Sequence, residues 1–232
     1  MDTWDPALLT ALAARHRLIL FDNRGMGTST ASTAPFSLGR FAKDAAGLLT
    51  ALGIDRADVL GWSMGAMTAL ELALAHPDRV GKVVAYGAAA DPAPVVAAVE
   101  NFARLTPAAF AAQLFPAPWA KTHPEALSRL PKPAIKPDPA IVARQRQALT
   151  DWPGFGTRLS SLDRPVLLVV GQEDTVTPAA QSVQLAAAIP GAWLVRFRDA
   201  GHWLQYQAPE ALAGVVETFL STREILTETP RP

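Results

Sequence analysis

Ser63 stands in Gly61-Trp62-Ser63-Met64-Gly65, a G-x-S-x-G pattern between an apolar run, Ala57 to Leu60, and a stretch of Ala, Leu, Met and Glu from Met64 to Ala75. A short apolar run suits a buried strand, and the following composition is strongly helix-forming until Pro77 stops it. A serine at such a strand-to-helix switch is held in a tight turn that strains its backbone and exposes its hydroxyl. Gly61 and Gly65 fit because side chains there would collide where strand and helix pass closely. The helix beginning at Met64 aims its free N–H groups and positive dipole end at the same point. A Gly-rich turn around an ordinary serine is the plain alternative; the strand before and the helix after argue against it.

A serine hydroxyl is a weak nucleophile until a base takes its proton, and that base needs a third group to fix its tautomer. His202, between Gly201 and Trp203, is the candidate base, and Asp174, in the loop Gly171 to Pro178, the candidate orienting acid. Glu173 beside it and Asp91, after the strand that follows the serine turn, are the rival acids. His16 and His76 fall at helix ends and read as surface or capping residues.

The elements that must position these groups alternate along the chain. Asp5-Pro6 reads as a helix N-cap and first turn, with Leu8, Leu9 and Leu12 as its apolar stripe. Arg17 to Phe21 (RLILF) reads as a strand. A polar loop, Asp22 to Ser29, follows, in which Asp22 and Arg24 are placed to bond each other. Ser37 caps a helix carrying Phe41, Ala45, Leu48, Leu49 and Leu52, with Gly53 at its end. After the serine turn come strands at Val80 to Tyr86, Pro165 to Val170 and Trp193 to Phe197, and helices opened by Thr177-Pro178 and by Pro209. Strands separated by helices imply parallel pairing, with the site beyond the C-terminal strand ends. Ten of the chain's 20 prolines lie between Pro92 and Pro139. They break that stretch into short helices and loops, read as an insertion capping the strand ends. The expected division is a core over residues 1–90 and 163–232 and a helical cap over 91–162.

Half of the 232 residues are apolar, enough for one sizeable core. Lysine plus arginine equals aspartate plus glutamate at 21 each, with no basic run, so no nucleic-acid partner is expected. The chain holds no cysteine, and its four histidines lack ligand spacing, so neither disulfide nor metal is expected, nor any cofactor. No apolar run approaches a membrane span, and the first residues do not form a signal peptide, so the expected place is the cytoplasm and no membrane partner is expected. Oligomeric state is not readable from the sequence.

Taken together, FDNRGMGTS, GWSMG, GQEDTVTP and GHWLQYQAPE resemble the α/β-hydrolase superfamily, in its small esterase, lactonase and perhydrolase-like branch, over nearly the whole chain. The order Ser63, Asp174, His202 is that family's order. The resemblance implies an α/β fold, a mostly parallel sheet flanked by helices with a helical cap. It implies Ser63 as nucleophile, His202 as acid and base, Asp174 as its orienter and the Met64 N–H as an oxyanion donor. A serine rather than an aspartate in the turn sets aside dehalogenase and epoxide-hydrolase chemistry. The expected reaction is acyl transfer to water on a small apolar ester, thioester or lactone, with Trp62, Met67, Phe115, Trp119 and Trp203 lining the substrate pocket. In this family strands precede the first helix, and the last of them leads into a loop that supplies a second oxyanion donor; the sequence begins at that helix, so the resemblance leads one to expect a fragment or a shortened product without those strands and that loop. Loss of one donor costs ~10²–10³ in rate, so the alternative is a catalytically impaired, hydrolase-like binding module. With one strand missing, RLILF must either pair directly with the strand of Val59 and Leu60 or leave that strand's edge open.

Overall fold

The computed structural model describes residues 2–102, 104–125, 130 and 133–223. Four parallel strands, β1 (Ala57–Trp62), β2 (Val80–Tyr86), β3 (Val166–Gly171) and β4 (Trp193–Phe197), lie side by side in chain order. Every residue of β3 is buried, as expected for a parallel strand covered on both faces. One face is covered by α2 (Leu38–Ala51), α3 (Met64–Ala75) and α8 (Ala179–Ala188), the other by α1 (Pro6–Ala13) and α10 (Pro209–Ser221). Between β2 and β3 the chain forms α4 (Ala93–Phe102), α5 (Pro107–Leu114), α6 (Ala117–Thr122) and α7 (Pro139–Thr150); α9 (Leu204–Gln207) follows β4.

The caps that set these helices are local. Asp5 Oδ1 accepts from the Ala7 N–H at 2.8 Å, and Ser37 Oγ from the Arg40 N–H at 3.1 Å. Each satisfies an amide that has no partner within its helix. At the far end of α10, Lys82 Nζ donates to the carbonyls of Phe219 (2.8 Å), Leu220 (3.1 Å) and Thr222. A cation placed at a helix C-terminus is the favourable polarity. Glu71, buried on α3, accepts from Trp152 Nε1 at 2.8 Å and from both terminal nitrogens of Arg158 at 2.7 Å, which ties α3 to the chain entering β3.

Two local expectations are corrected. Arg24 does not bond Asp22: its Nε reaches Asp44 Oδ2 on α2 at 2.7 Å, while the Asp22 carbonyl takes the Ser29 hydroxyl at 2.8 Å. Arg17 to Phe21 does not form a strand. No backbone hydrogen bond joins it to β1. A groove of about 530 Å³, lined by Leu8, Leu12, Leu18, Leu60 and Val84 among others, lies between them. The segment has a strand's apolar composition, but a strand exists only where a neighbour about 4.8 Å away takes up its backbone groups. Leu20 and Phe21 accordingly remain 41% and 42% exposed. Among the described residues β1 is therefore an edge strand, not the second of five.

Candidate active site

Ser63 follows β1 directly and has φ 54° and ψ −123°. Asp199 is the only other non-glycine described residue with a positive φ. Such a backbone is strained for any residue with a Cβ and persists only where the surroundings enforce it. Here the Ser63 N–H is taken by the Tyr86 carbonyl at 2.9 Å, and its own carbonyl receives the Ala66 and Met67 amides at 2.9 and 3.2 Å. Met64 is the first helical residue of α3, so its N–H has no acceptor within the helix. Gly61 is forced by close approach, since a Cβ there would sit 2.2 Å from the Gly65 carbonyl oxygen; the same expectation for Gly65 is corrected, because a Cβ there would meet nothing within 4 Å. Gly61→Ala is therefore expected to destabilise the fold by about 3 kcal/mol or more, since only backbone can yield. A urea midpoint unchanged from the parent would contradict this.

Asp174 and His202 come together in the loops after β3 and β4. Asp174 Oδ2 lies 2.8 Å from His202 Nδ1 and accepts the Thr177 hydroxyl at 2.8 Å. Oδ1 takes the Val176 and Thr177 amides at 2.9 and 2.8 Å. Four donors converge on one buried carboxylate, which offsets the cost of desolvating its charge. With that carboxylate ionised, Nδ1 carries a proton and Nε2 is left as the basic nitrogen. The His202 ring packs against Gly87, where a Cβ would stand 3.3 Å from Cε1; Gly87 has φ +59°. The rival acids lie elsewhere: Asp91 Oδ1 caps the start of α4 through the Ala93 N–H at 3.1 Å, and Glu173 is exposed. His16 pairs with Glu217 at 2.8 Å, and His76 ends α3.

Ser63 and His202 are each held by Tyr86, at the end of β2. The Tyr86 carbonyl holds the Ser63 N–H, and the Tyr86 hydroxyl donates to the His202 carbonyl. The same carbonyl receives Trp62 Nε1 at 3.0 Å. No hydrogen bond joins the Ser63 hydroxyl to His202 among the described residues. Such bonds are commonly long before substrate binds.

The aromatic residues form a packed cluster beside the histidine. Phe115 stacks on Trp119 (5.0 Å between centroids) and meets Trp203 edge-on at 5.9 Å, while Trp62 meets Trp203 at 5.9 Å. Phe115 is 1% exposed. It joins the β2–β3 segment to the core, as does the Trp203 N–H, which donates to the Leu114 carbonyl at 3.2 Å. Met67 is placed apart from this cluster, wholly buried among the core residues between sheet and helices. Two contributors escaped the sequence reading. Thr177 was legible in principle, since Asp174 and Thr177 stand three apart as in a local capping turn. Tyr86, an ordinary strand residue by sequence, carried no signal.

This fold and site define a class, and comparison with known proteins gives the same one. The family described as "alpha/beta hydrolase fold" matches residues 1–209, and the chain belongs to it. Relatives are hydrolases. The chain is 32% identical to "Putative carbamate hydrolase RutD" of Caulobacter sp. (strain K31), over 94% of this chain and 85% of that one. It is 31% identical to 2-hydroxymuconate semialdehyde hydrolase of Pseudomonas putida, over 90% and 79%. Among solved structures it superposes on the enol-lactonase of Burkholderia xenovorans LB400 with a TM-score of 0.81 at 28% identity, over 94% of this chain and 85% of that one. No helix among the described residues is long and apolar enough to cross a membrane.

Proposed function

We propose that the protein is a serine hydrolase that cleaves a small apolar carboxylic ester, thioester or lactone through an acyl-serine intermediate. The observation that carries this reading is the Asp174–His202 bond at 2.8 Å, at the same C-terminal edge of the parallel sheet as the strained Ser63. In the forward step Ser63 Oγ attacks the acyl carbon as His202 Nε2 takes the hydroxyl proton. The negative charge that develops on the carbonyl oxygen is met by the Met64 N–H, and His202 returns the proton to the departing alcohol, thiol or enol. Water then enters by the same route in reverse roles and releases the acid. Asp174 holds the imidazole in the reactive tautomer.

The aromatic cluster supports the substrate class: Trp119 and Trp203 gather with Trp62 beside His202, a setting that favours an apolar acyl group. The relatives' names span a lactone, a carbamate and a semialdehyde, so the acyl class is the proposal and the individual substrate a matter for assay. Short p-nitrophenyl esters give the direct test. Turnover that tracks folded protein supports the hydrolase, whereas a folded protein without turnover favours a binding module.

Acyl length is the second expectation. Trp119 is half-buried at the rim of the cluster. Trp119→Ala should shift preference toward longer acyl chains by a graded factor, since each methylene in an apolar pocket is worth ~1–3 kcal/mol. An equal loss on every chain length would point to damaged packing instead.

A further inference from the structure

We propose that Trp62 and Tyr86 act as a two-donor clamp on the main chain of His202, fixing where the base stands relative to Ser63; this rests on the hydrolytic reading above. The His202 carbonyl receives two side-chain donors from different strands: Trp62 Nε1, at 3.0 Å from the end of β1, and the Tyr86 hydroxyl, from the end of β2. The two strands are paired with Trp62 opposite Tyr86, so the donors are fixed in relation to each other before they reach the loop. Their rings stack with centroids 6.3 Å apart. His202 lies in an irregular loop after β4, the kind of segment whose backbone is otherwise free to shift. Its ring is held through Nδ1 by Asp174 and packs against Gly87 and Trp62. The hold on the main chain fixes the point from which the side chain reaches these partners, and so places Nε2.

Both donors also contact the nucleophile's backbone. Trp62 is the residue before Ser63, and the Tyr86 carbonyl takes the Ser63 N–H at 2.9 Å. One pair of residues therefore registers serine and histidine against the same strand ends. Tyr86 is suited to permanent donation. Burial, and then the nearby Asp174 charge, push its hydroxyl well above the ordinary tyrosine range, while the Gln205 and Leu204 backbone amides act against this only in part. The hydroxyl therefore keeps its proton, and its capacity to donate, at neutral pH.

The test combines Tyr86→Phe, Trp62→Phe and the double variant, each of which removes a donor and keeps an aromatic ring. Two readouts are needed. The first is the downfield proton resonance of the His202 Nδ1–H bonded to Asp174, recorded without substrate. It should be sharp in the parent and broadened by exchange in the double variant. The second is kcat against KM on a p-nitrophenyl ester. Each single change should lower kcat ~3–10-fold with KM nearly constant, and the double change ~10²-fold, because a displacement near 1 Å costs that much at a reacting pair. An unchanged resonance in the double variant, with kcat within twofold of the parent, would overturn the clamp. A parent that shows the resonance, loses it in the double variant, yet has no reaction at Ser63 would count against the hydrolytic reading and leave the clamp standing. Should the double variant not fold, Trp62→Phe alone carries the comparison, with an unchanged resonance and kcat again the overturning result.

Discussion

Ser63→Ala is expected to remove ~10⁵–10⁶-fold of any esterase activity and to leave the fold intact. Alanine retains the Cβ, so the positive φ is no more strained than with serine, and the Ser63 N–H bond to Tyr86 is a backbone contact that the change does not touch. What is lost is the atom that attacks. His202→Ala should be nearly as damaging, because nucleophile and base act as one unit and the second loss adds little to the first. Equal activity of parent and Ser63→Ala on p-nitrophenyl acetate, at matched urea midpoints, would remove the serine mechanism.

Asp174→Asn is the second large effect, expected near 10⁴-fold in kcat. The two backbone amides on Oδ1 still find an oxygen if the asparagine carbonyl points toward Val176 and Thr177. Its NH₂ group then faces His202 Nδ1, which must become an acceptor. The ring proton moves to Nε2, and the nitrogen that should take the serine proton already carries one. Asp91→Asn should be mild by comparison, since Asp91 caps α4 and does not bond His202. If Asp91→Asn proved the severe change and Asp174→Asn the mild one, the acid would sit on the other strand.

Much of this arrangement could be read before any coordinates because its signals are local. The Val80 to Tyr86 and Trp193 to Phe197 strands, and the caps at Asp5 and Ser37, stand where composition and capping chemistry put them. The parallel sheet followed from the order of elements and the hydrolase fold from the resemblance of its motifs, in which Gly61 answers a steric demand. What failed was non-local. RLILF has a strand's composition, but composition does not say whether a neighbour lies at pairing distance, and here a groove intervenes. Tyr86 and His202 are 116 residues apart, and a tyrosine ending an apolar strand gives no sign that its hydroxyl reaches a loop carbonyl. The aromatic residues between β2 and β3 could be recognised as apolar, but not sorted into wall and mortar. Phe115 is packed shut, while Trp119 remains half open.

The most direct measurement is peptide mapping after a fluorophosphonate has reacted with the folded protein. Such a reagent bonds to a serine only when a neighbouring base activates it. Labelling is expected at Ser63 alone, much slower in Asp174→Asn and absent in Ser63→Ala. Stoichiometric labelling at another serine, or ester hydrolysis by a protein whose Ser63 stays unmodified, would contradict the assignment of Ser63 as the nucleophile.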